Sequence, residues 1–173
     1  AGAGQHASNP MLQETPDPVS KVTWDNYLTM SKADMDAMGL NTYIAQADLA
    51  SVVTVTIGDK QIELPAFMQP GQKPGTLGIA LGYGRGSNGE NIGQAAFQTG
   101  EKGEHLTQAS GLPMPIGANA YPLTSISEGH TIYANYDVSI EATGAEYPLA
   151  CTQIHNTYMG RESVVKETSF DSY

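Results

Sequence analysis

The stretch AFMQPGQKPGTLGIALGYGR, residues 66–85, decides the fold that the sequence predicts. It runs from the end of one strand through a Pro/Gly turn into the apolar run TLGIAL, residues 76–81. Near-continuous apolar character is typical of a strand that is covered on both faces, so residues 77–81 are predicted to form a central strand. A glycine-rich loop follows at Gly82, where bare backbone can approach another group closely.

A second loop, GANAYPLT at residues 117–124, is small and polar and ends in a hydroxyl. Two loops of this kind on a β-scaffold predict the rim of a cofactor-sized cleft. Arg85 adds a guanidinium that can pair with an anionic ligand. The first loop, GYGRG at residues 82–86, lacks the Lys-Ser/Thr pair of a phosphate-binding loop, and no helix follows it as in a dinucleotide fingerprint. The GYGRG loop is therefore either a plain connection or part of a ligand-binding rim.

The remaining patterns predict a mainly β chain with one or two short helices. The clearest helix spans residues 31–40, with Ser31 as its N-cap and Gly39 as its stop. A hairpin turns at Gly58-Asp59, and a bulge is expected at Asp25-Asn26 in the first strand. The predicted strands are residues 21–29, 50–57, 61–64, 76–81, 131–142 and 149–155. Many short strands with Gly/Pro turns favour a barrel or a sandwich.

The length of 173 residues predicts a single domain. Residues 1–10 are small and polar and are expected to be disordered, residues 11–156 to form the domain, and residues 157–173 to form an extended arm. The chain begins without Met, so a piece of a larger protein is one expectation.

The charge balance narrows the class of partner. The chain has 8 Lys and Arg against 18 Asp and Glu, a formal net charge of -10, which opposes nucleic acid and anionic lipid as partners. No apolar run approaches the roughly 20 residues of a membrane helix. The single cysteine cannot form an intrachain disulfide or hold an iron–sulfur cluster, which usually needs four thiolates.

Residues that could react or bind a metal are few. Cys151 lies four residues before His155, so on a strand both would face one side, as a nucleophilic pair or two metal ligands would. Without a third ligand, a packed thiol is the favoured interpretation, and we predict no catalytic residue and no metal site. Tyr133 and Tyr136 are predicted to lie on opposite faces of one long strand, which argues against the aromatic platform of a glycan-binding module or adaptor.

Several segments carry a family resemblance over about residues 9–170: LQETPDP at 12–18, WDNY at 24–27, ALGYGR at 80–85, GANAYPLT, and HNTYMGRESVVKET at 155–168. The chain resembles the C-terminal domain of molybdopterin oxidoreductase large subunits. It is most similar to that of the iron–sulfur subunit of bacterial alternative complex III, a membrane-associated quinol oxidoreductase. The resemblance implies a double-psi β-barrel, which in cofactor-loaded relatives helps to clasp the guanine dinucleotide tails of the pterin.

The resemblance also implies candidate cofactor-binding residues. Asn119 and Thr124 match the ends of the family's Asn-x-Leu-Thr loop, although residues 120–122 lengthen it here. The stretch Gly82, Tyr83, Gly84 and Arg85 matches the loop that faces the cofactor funnel.

The lengthening of the loop at residues 120–122 departs from the family pattern and favours a structural domain without its own cofactor. The resemblance then implies that the iron–sulfur clusters lie elsewhere in the parent subunit. Its implied partners are other domains and subunits of an electron-transfer complex at the periplasmic face of the inner membrane, with no direct membrane insertion. The alternative is a molybdopterin guanine dinucleotide-binding domain of an active molybdoenzyme.

Overall fold

The computed structural model describes residues 9–44, 48–84, 98, 102, 104, 107, 111, 114–154, 160, 161, 163 and 168–172. Most of the segment predicted to be disordered, and most of the predicted C-terminal arm, lie outside these residues. No helix among the described residues combines the length and the apolar character that crossing a bilayer requires.

The described part of the chain is mainly β with two short helices, as predicted. The helices are α1, Pro10–Glu14, and α2, Lys32–Met38, and single 3-10 turns occupy Tyr121–Leu123 and Phe170–Ser172. The strands are β1 Leu28–Met30, β2 Ala50–Ile57, β3 Lys60–Met68, β4 Gly78–Ile79, β5 Ser125–Ser127, β6 His130–Ile132 and β7 Ser139–Tyr147.

Five of the described strands form one mixed sheet in the order β4-β1-β3-β2-β7, and β5 and β6 form a separate hairpin. Strand β1 runs parallel to β3, with Leu28 opposite Ala66, and the other pairs are antiparallel. These pairings of the described strands do not establish a closed barrel, so the double-psi β-barrel stays a prediction.

Helix α2 confirms the prediction from its capping residues. The Ser31 Oγ accepts a hydrogen bond from the Asp34 N–H at 3.1 Å, which satisfies a donor that the first turn leaves free. Gly39 ends the helix in the left-handed region at φ 67°, and the Leu40 N–H donates to the Met35 carbonyl at 3.0 Å. Met35, fully buried, anchors the helix on the core.

The hairpin of β2 and β3 also confirms its prediction, and its first strand has the predicted bounds. Strand β3 is longer than the predicted residues 61–64, because its last three residues leave β2 and pair with β1. Alternate residues of the hairpin turn inward to a single apolar cluster. Its fully or nearly fully buried members are Leu28, Met30, Met35, Leu40, Val53, Val55, Leu64 and Ala66.

The prediction of a central, doubly covered strand at residues 77–81 is wrong. Among the described residues, Gly78–Ile79 pairs with β1 alone, so β4 lies at the edge of the described sheet. Ala80 is exposed, and the other residues of the run are only partly buried. The physical reason is that the large side chains alternate with Gly78 and Ala80. The run therefore has one apolar face, as an edge strand that covers a core on one side has, and the small residues between only make it look continuous.

Three other predicted strands are shortened or broken. Residues 21–29 contain positive φ angles at Lys21 (65°) and Trp24 (66°), which an extended strand cannot hold, so the strand begins only at Leu28. Val22 makes an isolated bridge to Cys151, which is the only pairing described within the predicted strand at 149–155. The predicted strand at 131–142 is interrupted between β6 and β7, where residues 133–138 form an irregular connection.

Candidate functional site

The described site centres on two adjacent polar residues, Asp25 and Asn26, which are 8% and 1% exposed. They lie just before β1, in the irregular segment that was predicted to be a bulged strand. We call the pair the Asp25–Asn26 clamp, because its side chains bind the two glycine-containing loops that the sequence singled out. The predicted bulge is therefore wrong: these residues bond across the fold through their side chains.

Asn26 connects the backbones of both loops. Its Nδ2 donates to the Ala80 carbonyl and to the Ala118 carbonyl, both at 2.9 Å. Its Oδ1 accepts from the Ala118 N–H at 2.8 Å. One neutral amide thus provides hydrogen-bond partners for three backbone groups of the two loops.

Asp25 extends the clamp to the opposite end of the sheet. Its Oδ1 accepts from the Gly117 N–H at 2.8 Å, and its Oδ2 accepts from the Tyr147 hydroxyl at 2.9 Å. Burial raises the pKa of Asp25 above its ordinary value, and these two hydrogen bonds partly oppose the rise. Since the folded pKa lies above the unfolded value, ionisation of Asp25 lowers the free energy of unfolding as the pH rises through the folded pKa.

The two loops are in direct contact at Gly84. A Cβ on this residue would overlap the backbone of Asn119 and lie 2.8 Å from the Ala118 Cα. The Gly84 N–H donates to the Ile116 carbonyl at 3.1 Å, and its φ of 67° also favours glycine. Gly117 is also closely packed, since a Cβ there would lie 2.8 Å from the Asn26 Oδ1. We call this contact the glycine junction.

Most of the predicted cofactor-binding residues meet at this junction. Gly82 and Gly84 are buried and Tyr83 is half-buried beside Gly117, while Asn119 is exposed at the rim. Thr124 lies beyond the following 3-10 turn, on the wall of a separate groove. Arg85 lies outside the described residues.

The polar atoms of Asn119 and Thr124 take part in local turns. The Asn119 Oδ1 accepts from the Tyr121 N–H at 3.1 Å, and the Thr124 hydroxyl donates to the Tyr121 carbonyl at 2.8 Å. These bonds are typical of turn-forming Asn and Thr residues. Both side chains therefore stabilise the lengthened loop itself.

An open groove of about 720 Å³ begins where the junction ends. Its floor is formed by Leu28 and Val55 of the core, and one wall by the alternate apolar residues of the β4 segment. The other wall comes from residues 120–138. Its apolar lining includes Ile57, Leu77, Ile79, Leu81, Leu123 and Val138.

Two tyrosines on this second wall correct a prediction. Tyr133 and Tyr136 lie in the irregular connection between β6 and β7, and both line the groove. They were predicted to point to opposite faces of one strand. Because the strand is interrupted, the alternation that separates neighbouring side chains does not apply to them.

Cys151 is half-buried, and burial raises the pKa of its thiol to about 11. A thiol in such surroundings stays protonated at neutral pH and is a poor nucleophile, in agreement with a packed thiol. His155 and His105 lie outside the described residues, and His130 is exposed at the start of β6. Within the described residues, no group of three or more His, Cys, Asp or Glu side chains is placed to hold a metal ion.

Sequence reasoning missed the clamp and the groove. An Asp-Asn pair between a tryptophan and a tyrosine, in a segment of β-forming residues, is the signal that could have indicated buried polar side chains with a bonding role. The groove has no such signal, because its walls come from segments about 50 residues apart in the chain.

Neither the family models nor the curated proteins contain a match to this chain.

We expect Asn26→Asp to lower the free energy of unfolding by about 3 kcal/mol, because an oxygen replaces the Nδ2 that faces two carbonyl oxygens. Urea unfolding at neutral pH measures the loss. The matched control is Asn135→Asp, which removes one hydrogen bond from an exposed side chain to the Leu123 carbonyl and should cost less than about 1 kcal/mol. Equal losses in the two variants would contradict the clamp.

Gly84→Ala should cost about 3 kcal/mol or more, since the new methyl group overlaps the backbone of the facing loop. Gly75→Ala is the control: its φ of 75° is similar, but nothing lies within 4 Å of the added Cβ. Only the left-handed backbone penalty of about 1–2 kcal/mol applies there. Thermal unfolding of both variants tests the contact, and a Gly84 variant no less stable than the Gly75 variant would refute it.

The raised pKa of Cys151 predicts an unusual pH profile for alkylation by iodoacetamide. In the folded protein the rate should still be rising with pH at about pH 10, because the thiol pKa is about 11. In urea the pKa of the same thiol should be about 8.5, so the rate of alkylation should level off from about pH 9.5. Superimposable profiles for the folded and unfolded chains would show that burial does not govern this thiol.

Proposed function

We propose that this chain is a double-psi β-barrel domain of an iron–sulfur, molybdopterin oxidoreductase-like subunit in a membrane-associated quinol electron-transfer complex. Its role is structural. It holds no cofactor of its own and packs against other domains of its subunit and against other subunits, at the periplasmic face of the membrane. The observation that carries the structural role is the glycine junction, in which the two loops of the expected cofactor cleft contact each other.

A cleft for a dinucleotide needs bare backbone and polar side chains that face an open space. At the junction, the backbone of Gly84 instead faces the backbone of Ala118 and Asn119 without room for a methyl group. Asn26 bonds the two loops to one side chain at 2.9 Å and 2.8 Å. Parting the loops to admit a ligand would break these hydrogen bonds, so the junction favours a cleft that has become a packed contact.

The strand order is compatible with the proposed barrel. Strand β1 lies between β4 and β3, both of which come later in the chain, and it runs parallel to one and antiparallel to the other. Such interlacing of early and late strands is what a crossed barrel requires.

The chemistry of the described polar groups also supports a holding role. The Tyr147 hydroxyl donates a hydrogen bond to Asp25, and burial raises the pKa of this hydroxyl further above neutral pH. The raised pKa of Cys151 likewise keeps its thiol protonated. Groups matched in this way stabilise a fold and are not poised for acid–base or nucleophilic work.

Purification of the tagged protein from detergent-solubilised membranes of its own source tests the proposal. We expect it to co-purify with iron-containing and membrane-embedded subunits, in a preparation that oxidises quinol. Elemental analysis should find iron, and neither molybdenum nor oxidised pterin should be present in stoichiometric amount. Recovery of the protein alone, without such subunits, would overturn the proposal.

Calorimetric titration with guanosine diphosphate separates the structural role from the cofactor-binding alternative. We expect no binding at millimolar nucleotide. Micromolar binding that is weakened by Asn119→Ala and unchanged by Asn135→Ala, a second exposed asparagine, would establish the alternative in its place.

A further inference from the structure

We propose that the groove between the β4 segment and residues 120–138 is a docking site for a partner polypeptide that presents apolar side chains beside Lys or Arg. The inference deepens the proposed structural function, on which it rests for the existence of a partner protein. It is carried by three properties of the groove: its exposed apolar side chains, its rigid walls and its charge.

Exposed apolar side chains are concentrated beside this groove. Of the ten large apolar side chains that are exposed in the described part of the chain, five lie within residues 121–136. These are Tyr121, Ile126, Ile132, Tyr133 and Tyr136. Tyr136 is 95% exposed and Tyr133 is 67% exposed. Tyr133 and Tyr136 line the groove itself, and exposed apolar surface at a cavity is typical of an interaction site, in which tyrosine is enriched.

Both walls are held in place, so the groove exists without an occupant. On one wall, the Asn135 Nδ2 donates to the Leu123 carbonyl at 3.1 Å, and Leu123 is buried. This hydrogen bond joins the two ends of the segment that contains the β5–β6 hairpin. On the other, the Gln72 Nε2 donates to the Thr29 and Thr76 carbonyls, and the Asp34 Oδ2 accepts from the Gly75 N–H at 2.8 Å. A pre-formed groove lowers the ordering cost of binding.

The charge of the second wall selects the partner. Residues 103–160 contain no Lys or Arg. The exposed carboxylates of Glu128 and Asp137 belong to the segment that supplies the second wall, and they lie outside the lining of the groove itself. The β4 side of the groove differs, because the cation Lys73 lies close in the chain to the groove-lining Gly75. A basic side chain of a partner can therefore be attracted to the carboxylates of this segment at the margin of the groove, and it can lie against the exposed rings of Tyr133 and Tyr136 by cation–π attraction.

The same charge argues against other occupants. A second copy of this chain would bring its own net charge of -10 to an acidic wall. A glycan would stack on the tyrosines, but the partly buried apolar lining offers it few hydrogen bonds, and it includes Ile57, Leu77, Ile79, Leu81 and Val138. Apolar side chains fit this lining and lose contact with water on binding.

Selection of a random phage-displayed peptide library on the full chain tests the inference. We expect the enriched peptides to combine apolar residues with Lys or Arg, and their synthetic versions to bind more weakly as salt increases. Tyr136→Ser and Tyr133→Ser should each weaken binding about tenfold. Phe170→Ser, which changes a 94% exposed aromatic residue that does not line the groove, should have no effect.

A charge pair completes the design. Asp137→Asn should weaken binding and flatten the salt dependence, while Glu14→Gln, at an exposed carboxylate of α1, should do neither. Failure to enrich basic, apolar peptides, or equal binding to the Tyr136 and Phe170 variants, would overturn the inference. Binding of oligosaccharides that depends on the tyrosines would indicate a glycan as the occupant, and self-association in sedimentation would indicate a second copy of the chain. The peptide selection uses neither nucleotide nor the parent complex. A failed selection therefore leaves the proposed function unaffected, and failure to recover the complex leaves the outcome of the selection unaffected.

Discussion

The side-chain amide of Asn26 is the interaction on which the rest of this structure depends. It bonds to Ala80 and Ala118, which lie 54 and 92 residues further along the chain, and it is only 1% exposed. An amide suits this position because it donates and accepts at once without carrying a charge into the interior. Asn26 therefore joins the backbones of the two loops through one side chain, so that the hydrogen bonds of each loop are coupled to those of the other.

The clamp also defines the groove beside it. Ala80 is followed by Leu81, and Ala118 is separated by one residue from Ala120, and both of these followers line the groove. Fixing the two carbonyls at one amide therefore sets where the walls begin and how far apart they stand. The groove is open because the two segments diverge from this point, one along the edge of the sheet and the other into the β5–β6 hairpin.

The polar and apolar parts of this region have separate tasks. At the glycine junction, the hydrogen-bonding capacity of the loops is used for holding the fold, and the backbone contact at Gly84 closes the space between them. In the groove, apolar side chains and exposed tyrosines are left without such internal use. The polar loops of this domain stabilise its own fold, while an apolar surface stays exposed to water. Such a surface can bind other proteins, which is the proposed role.

The sequence by itself determined the elements whose stabilising contacts are local. Helix α2 and the β2–β3 turn were predictable because a cap or a turn acts over three or four residues. The proximity of the two glycine loops was predicted, but its cause, Asn26, was not. Only the tertiary structure decided that the TLGIAL run is an edge strand, that Tyr133 and Tyr136 face one groove, and that Asp25 and Asn26 turn inward. The reason is that each of these depends on a partner 50 or more residues away in sequence, and periodicity within a segment carries no information about such a partner.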